Sequence, residues 1–123
     1  MILVLIAAFG GAGAATRFVV DGLIRTRYAT TFPAATVFIN ITGSLALGLL
    51  TAAAIAGALG QPWVVAASIG FCGGYTTFST AMVETVRLVQ AGDHTRAVLN
   101  VLGTGVATVA AAAAGLGLGH LIW

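Results

Sequence analysis

The sequence predicts an all-α membrane protein with four transmembrane helices, the third of them broken in the middle of the membrane. Of the 123 residues, 59% are hydrophobic and only 7% are charged, whereas soluble domains carry about 25% charged residues. Four apolar stretches are long enough to cross a bilayer, which takes about 20 residues: roughly 2–22, 33–56, 62–90 and 96–122. At this length we expect one domain, residues 1–123.

The scarcity of ionisable side chains excludes several classes of function. The chain has three acidic residues, two histidines and one cysteine, and they are not clustered, so neither a hydrolytic triad nor a side-chain metal site assembles within one chain. We therefore expect no enzyme activity. We also expect membrane lipid, and no nucleic acid, around the chain. The first apolar stretch has no basic residue before Arg17, so it is interpreted as a retained span rather than a cleaved signal peptide.

The first two spans carry small residues and one amide. Gly10 and Gly13 in the first span allow a neighbouring helix to approach closely. Arg17 is interpreted either as an anchor that reaches towards the interface or as a group that attracts anions into a vestibule. Pro33 suits the first turn of the second span. Asn40 lies two turns further along, where its amide needs a hydrogen-bond partner.

The stretch GFCGGYTTFST, residues 70–80, predicts the break in the third span. Each of its two adjacent glycines disfavours helix by roughly 1 kcal/mol relative to alanine. Backbone groups freed at membrane depth must be satisfied by protein or by a water-filled cavity. Half-helix ends of this kind bind ions in membrane proteins. The alternative is a kink that only packs against a neighbour.

Shorter signals mark the ends of the third span. Pro62 begins it, because a proline lacks only an N–H that is unpaired in the first turn anyway. Glu84 and Arg87 lie three residues apart on one helical face, so we expect them to pair. The dipeptide Gly92-Asp93 predicts the end of this span and the N-cap of the next.

The fourth span carries a polar stripe. Asn100, Thr104 and Thr108 recur every four residues, so all three project from one face of a helix. Two interpretations remain open. The stripe forms hydrogen bonds between helices, worth about 0.6 kcal/mol each, or it lines a polar pathway.

Three motifs, in order along nearly the whole chain, resemble those of one family. Residues 70–80 resemble GFCGGxTTFSTF, the third-span signature of the small fluoride channels (Fluc, also called CrcB). Residues 38–43 resemble that family's VNxxG, and residues 10–18 resemble its glycine-rich motif that ends in an arginine and an aromatic residue. The resemblance implies an antiparallel dimer in the plasma membrane. It also implies a fluoride-selective channel subunit that exports fluoride passively.

The resemblance also assigns candidate residues. An aromatic ring has a positive edge, and amides and hydroxyls are hydrogen-bond donors; the family's pores use such groups. The residues that it places along the fluoride pathway are Asn40, Phe78, Ser79, Thr80, Thr104 and Thr108. The family holds a structural sodium ion at the turn of the third span, between backbone carbonyls of two antiparallel copies. The matching ligands here are the carbonyls of Gly73 and Thr76.

Two features depart from the family pattern. Where the family usually has a second phenylalanine, this chain has Ala81, so a homodimer lacks two rings unless Phe71 or Tyr75 substitutes for them. In a four-span topology all five arginines fall on one side, which the positive-inside rule places in the cytoplasm with both termini outside. A chain that inserts only one way cannot pair antiparallel with itself. A homologous, oppositely inserted partner is therefore an alternative to the homodimer.

Three other functions are alternatives to a self-sufficient fluoride channel. The first is a structural or partner subunit of a heterodimeric channel, without a fully competent pore of its own. The second is a small four-span multidrug exporter, which needs a carboxylate within the membrane. The sequence disfavours it, because the first span has no acid before Asp21 and Glu84 lies beside Arg87. The third is an assembly protein whose polar stripe only joins helices.

Overall fold

The computed structural model describes all 123 residues, and every regular element in it is helical. Two segments, between α3 and α4 and between α6 and α7, are π-helical. In chain order the elements are α1 (Ile2–Arg27), α2 (Ala34–Ile55), α3 (Gln61–Val65), the first π segment (Ala66–Cys72), α4 (Gly73–Tyr75), α5 (Phe78–Gln90), α6 (His94–Val98), the second π segment (Leu99–Gly103) and α7 (Thr104–Ile122).

Three uninterrupted helices are long and apolar enough to cross a membrane. They are Ile2–Arg27, Ala34–Ile55 and His94–Ile122, the last comprising α6, the second π segment and α7. The stretch predicted as the third span, 62–90, consists instead of two shorter helical runs on either side of residues 76 and 77. Large apolar side chains are exposed along the long helices, among them Phe18, Val106 and Leu121. Such exposure suits helices that face lipid.

The helices pack through glycines at two contacts. A Cβ atom at Gly13 would overlap the Phe71 carbonyl oxygen, and one at Gly74 would overlap the Gly10 carbonyl. These positions bring α1 against the first π segment and α4. In the same way, Gly48 and Gly115 bring α2 and α7 into backbone contact. Close backbone approach through small residues is typical of helix packing in membranes.

The break in the stretch predicted as the third span lies at two threonines and not at the adjacent glycines. Gly73 is helical, with φ −64° and ψ −37°. Thr76 and Thr77 are extended, with ψ angles of 160° and 120°. The break thus lies within the predicted stretch, residues 70–80, but not at its two adjacent glycines. Gly74 packs closely on Gly10, while the break occurs where the Asn40 side chain of α2 replaces a helical hydrogen bond.

Most helix ends lie where the sequence predicts them. Gly92 has a positive φ of 79°, and the Asp93 side chain accepts a hydrogen bond from the backbone N–H of Arg96 at 3.1 Å, which confirms the predicted stop and N-cap. Pro62 lies in the first turn of α3, as predicted. Helix α1 continues to Arg27, beyond the predicted end of the span at residue 22, and an Asp21–Arg25 ion pair bridges its last turns at 2.7 Å.

Candidate functional site

An open groove of about 650 Å³ contains most of the candidate pathway residues. Its walls come from α2, the first π segment, the start of α5 and the last helix. The polar residues that line it are Asn40, Ser44, Ser68, Thr76, Thr77, Asn100, Thr104 and Thr108. Gly73, Phe78 and Ala81 line it as well. One surface therefore joins three separate polar stretches of the sequence.

Asn40 satisfies the backbone at the break. The residue is 9% exposed, and its side-chain amide donates to the Thr77 carbonyl at 2.9 Å while its Oδ1 accepts from the Thr77 N–H at 2.8 Å. In a continuous helix this N–H would bond to the Gly73 carbonyl four residues earlier. Asn40 thus stabilises the extended conformation of Thr77. The second N–H of its amide makes no hydrogen bond within the chain and remains a donor for the groove.

Arg17 contacts the same break from α1. Its guanidinium donates to the Thr76 carbonyl at 3.1 Å, and the residue is half-buried. The Thr76 carbonyl is freed because the helix ends there, so the arginine satisfies an acceptor that the helix no longer uses. This contact adds a third role for Arg17 to the anchor and vestibule roles considered from the sequence.

The other candidate pathway residues divide between two surfaces. Phe78 is the first residue of α5, is 78% exposed and lines the groove with Thr104 and Thr108. Ser79 and Thr80 instead line a separate depression of about 280 Å³ together with two arginines and a glutamate, Arg25, Arg87 and Glu84. Because a helix has 3.6 residues per turn, these consecutive residues of α5 lie on two sides of the helix.

Phe71 and Tyr75 do not line the groove. Their rings stack on each other with centroids 5.9 Å apart, and the Tyr75 hydroxyl lies 2.9 Å from the Thr42 hydroxyl. Tyr75 is buried. Ala81 lines the groove and these two rings do not. Within this chain, neither ring therefore takes the place of the phenylalanine that the family usually has at that position.

The predicted pairing of Glu84 with Arg87 is wrong. Glu84 Oε1 accepts from Arg25 Nη2 at 2.6 Å, and Arg25 also binds Asp21 at 2.7 Å. The partner on α1 is distant in sequence, so spacing within α5 could not reveal it. The resulting Asp21–Arg25–Glu84 cluster joins α1 to the second half of the broken helix.

Four polar groove residues were not predicted as site residues from the sequence: Ser44, Ser68, Thr77 and Asn100. Ser44 and Ser68 make no hydrogen bond within the chain, so their hydroxyls are free to act as donors in the groove. The spacing of Ser44, four residues after Asn40, could have placed it on the same helix face. Ser68 gave no such signal. Asn100 was noted in the polar stripe but given no role in the pathway.

Comparison with known proteins identifies the family. The sequence profile of "CrcB-like protein, Camphor Resistance (CrcB)" matches residues 4–116. A protein of Leifsonia xyli subsp. xyli, named Fluoride-specific ion channel FluC 1, is 46% identical over 118 residues, covering 96% of this chain and 85% of that protein. A Cutibacterium acnes protein, Fluoride-specific ion channel FluC 2, is 44% identical over 115 residues, covering 92% and 93%.

A third relative extends the match to nearly the full length of both proteins. Fluoride-specific ion channel FluC 1 of Frankia casuarinae is 39% identical over 125 residues, covering 97% of this chain and 96% of its own. Identity at this level over almost the whole chain, together with three apolar helices of membrane-spanning length, confirms the resemblance seen in the motifs. The chain is therefore a multi-pass membrane protein that belongs to the CrcB family, a family of ion channels and not of enzymes.

Proposed function

We propose that the chain is a subunit of a fluoride-selective channel that lets cytoplasmic fluoride leave across the plasma membrane, down its gradient. The observation that carries this proposal is the identity of 46% over 96% of the chain to a protein named as a fluoride-specific channel. The groove adds physical support. A small, strongly hydrated anion must exchange water for donors, and the Asn40 amide and the hydroxyls of Ser44 and Ser68 supply unpaired donors there.

Fluoride efflux from liposomes tests the proposal. Purified protein is reconstituted, the vesicles are loaded with potassium fluoride, and release is followed with a fluoride electrode after valinomycin is added. We expect fluoride to leave faster than from protein-free vesicles, and faster still when a homologous subunit is reconstituted with the chain, while vesicles loaded with chloride retain their anion. An assembly protein would release neither anion. A proton-coupled exporter would accumulate a cationic drug when a pH gradient is imposed, which we do not expect here.

We further propose that the chain has four spans and works as an antiparallel dimer. The third span consists of the helical run from α3 to α4, the break, and α5. Because four spans are an even number, both termini then lie on the same side of the membrane. The dimer is supported by the groove face, where apolar side chains such as Ile69 and Phe78 are exposed beside polar ones. A second subunit inserted in the opposite direction would cover this face and give the groove its missing wall.

A structural sodium ion at the break is also proposed. The Gly73 carbonyl loses its usual donor, because the Thr77 N–H bonds to Asn40, and Gly73 is exposed on the groove. The Thr76 carbonyl already accepts from Arg17, but a carbonyl oxygen has two lone pairs. One protomer supplies only these two oxygens. Two antiparallel copies together would supply four, which suits a monovalent cation.

The partner in the dimer is the same chain or a homologous subunit, and we propose the homologous subunit. Arg96 donates to the Thr31 hydroxyl at 2.7 Å and so joins the α1–α2 connection to the start of α6. Arginines from both connections therefore lie at one end of the molecule, which favours a single orientation. Ala81 lines the groove without an aromatic ring, so a partner with a phenylalanine at the equivalent position would complete the pathway.

A further inference from the structure

Helix α5 is held to the rest of the protein mainly by polar side chains. Only Ala81 and Leu88 are buried in it. Each of the three long helices instead contributes one polar side chain that binds α5 or the residue just before it. Asn40 of α2 binds Thr77 just before the helix, Asn100 of the last helix binds Ala81, and Arg25 of α1 binds Glu84.

Asn100 makes the central one of these contacts with its whole amide group. The residue is only 2% exposed. Its Nδ2 donates to the Ala81 carbonyl at 3.2 Å and to the Thr85 hydroxyl at 2.8 Å, and its Oδ1 accepts from the Thr104 hydroxyl at 3.5 Å. Since both N–H groups are engaged, the amide has no donor left for an anion. Asn100 lines the groove but is not equipped to bind fluoride.

Asn100 nevertheless connects two groups that are proposed to meet the anion. Ala81 lies three residues after Phe78, on the same face of α5, so a shift of the Ala81 carbonyl carries the Phe78 ring with it. On its other side, Asn100 accepts from Thr104, and that bond is long, so the hydroxyl can turn to an anion at little cost. Asn100 is the one contact of α5 that also engages Thr104, so the distance between the ring edge and the hydroxyl is sensitive to this amide.

We propose that Asn100 is a positioning residue of the anion pathway. It clamps α5 to the last helix and thereby sets the separation of Phe78 from Thr104 across the groove. This inference rests on the proposed function for its effect on transport, but the clamp itself is a property of the fold. Two readouts keep these parts separate.

The first readout is the mobility of α5, measured without any transport assay. A trifluoromethyl probe is attached at Val86→Cys, an exposed site on α5 outside the groove, in a Cys72→Ala background. In full-length protein in lipid nanodiscs we expect one ¹⁹F resonance. Asn100→Leu, which is similar in size but cannot hydrogen-bond, should split or broaden that resonance. Thr51→Val, which removes a hydroxyl bonded only within α2, should leave it unchanged.

A milder variant guards against misfolding. Thr85→Val removes one acceptor of Asn100 and leaves the Ala81 contact, so we expect a smaller broadening of the same resonance. Asn100→Asp keeps the shape and loses both donors, and it should resemble Asn100→Leu. A single, unshifted resonance in both Asn100 variants would overturn the clamp, whether or not the protein conducts fluoride.

The second readout is selectivity. In liposomes we expect Asn100→Leu to lower the ratio of fluoride to chloride efflux at least tenfold, because a displaced ring and hydroxyl no longer fit the smaller ion. Thr51→Val should keep the wild-type ratio. A broadened resonance with an unchanged ratio would overturn the positioning role and leave a structural clamp. Absence of fluoride efflux from the wild type would instead contradict the proposed function, while the resonance would still decide the clamp.

Discussion

Asn40 has two tasks that a single side chain rarely combines. One edge of its amide replaces helical hydrogen bonds at Thr77, and the remaining N–H faces the groove. The sequence predicted a buried amide in need of a partner but could not show that the partner is the backbone of the break. That contact joins residues 37 apart, and no local pattern encodes it.

Replacing Asn40 with aspartate should abolish transport. The carboxylate would face the Thr77 carbonyl without a proton to donate, and it would add a negative charge to the anion's path, where the low dielectric strengthens repulsion. We expect fluoride efflux from liposomes to fall at least tenfold. Gln61→Glu, the same amide-to-carboxylate change at an exposed helix start, should leave efflux unchanged. Wild-type efflux from Asn40→Asp would mean that Asn40 serves only packing.

The contact of Arg17 with Thr76 predicts a stability effect that an anchor would not show. Arg17→Met keeps the length of the side chain and removes the donor, so the Thr76 carbonyl is left unsatisfied. We expect a loss of about 1.5–3 kcal/mol, the range for hydrogen bonds to charged groups, seen as a lower denaturation midpoint in detergent. Arg27→Met removes an arginine that makes no hydrogen bond in the chain and is the control. If Arg17→Met and Arg27→Met lowered the denaturation midpoint equally, Arg17 would serve only as an anchor.

At the scale of elements, the broken helix shows what local propensity can and cannot predict. Glycines signalled a special site, yet Gly73 and Gly74 are helical and the extended residues are Thr76 and Thr77. A glycine both weakens a helix and admits a close neighbour, and sequence alone does not tell which property is used. The all-helical fold, the caps at Pro62 and Asp93 and the polar stripe were predictable, because those signals are local. The contacts of α5 with α1 and α2 were not.

Two glycines of α1 provide a matched test of the packing. Gly13→Ala would push a methyl group into the Phe71 carbonyl, whereas nothing lies within 4 Å of a Cβ atom at Gly11. We expect Gly13→Ala to destabilise the protein by about 1–3 kcal/mol through overpacking. Gly11→Ala should stabilise it by up to about 1 kcal/mol, since alanine favours helix. Thermal denaturation followed by circular dichroism measures both, and effects of the same sign would contradict this packing.

At the scale of the whole molecule, charge placement predicts a single orientation. Accessibility of tags at the two termini in intact cells should show both termini outside only. The purified chain alone should conduct fluoride weakly. Co-expression with a homologue that carries the missing phenylalanine should raise efflux at least tenfold, and Ala81→Phe should raise it in part. Tags on both sides, together with efflux that Ala81→Phe does not increase, would make the chain an ordinary homodimer.

The size of the groove has a consequence for hydration. A water molecule occupies about 30 Å³ in the liquid, so 650 Å³ accommodates on the order of twenty waters. An ion in the groove of a lone protomer therefore keeps its complete first shell, and fluoride and chloride differ there only slightly in energy. Discrimination by dehydration requires a passage about one ion wide. We therefore expect discrimination only in the proposed dimer, where a second subunit would narrow the groove, and not in a single chain.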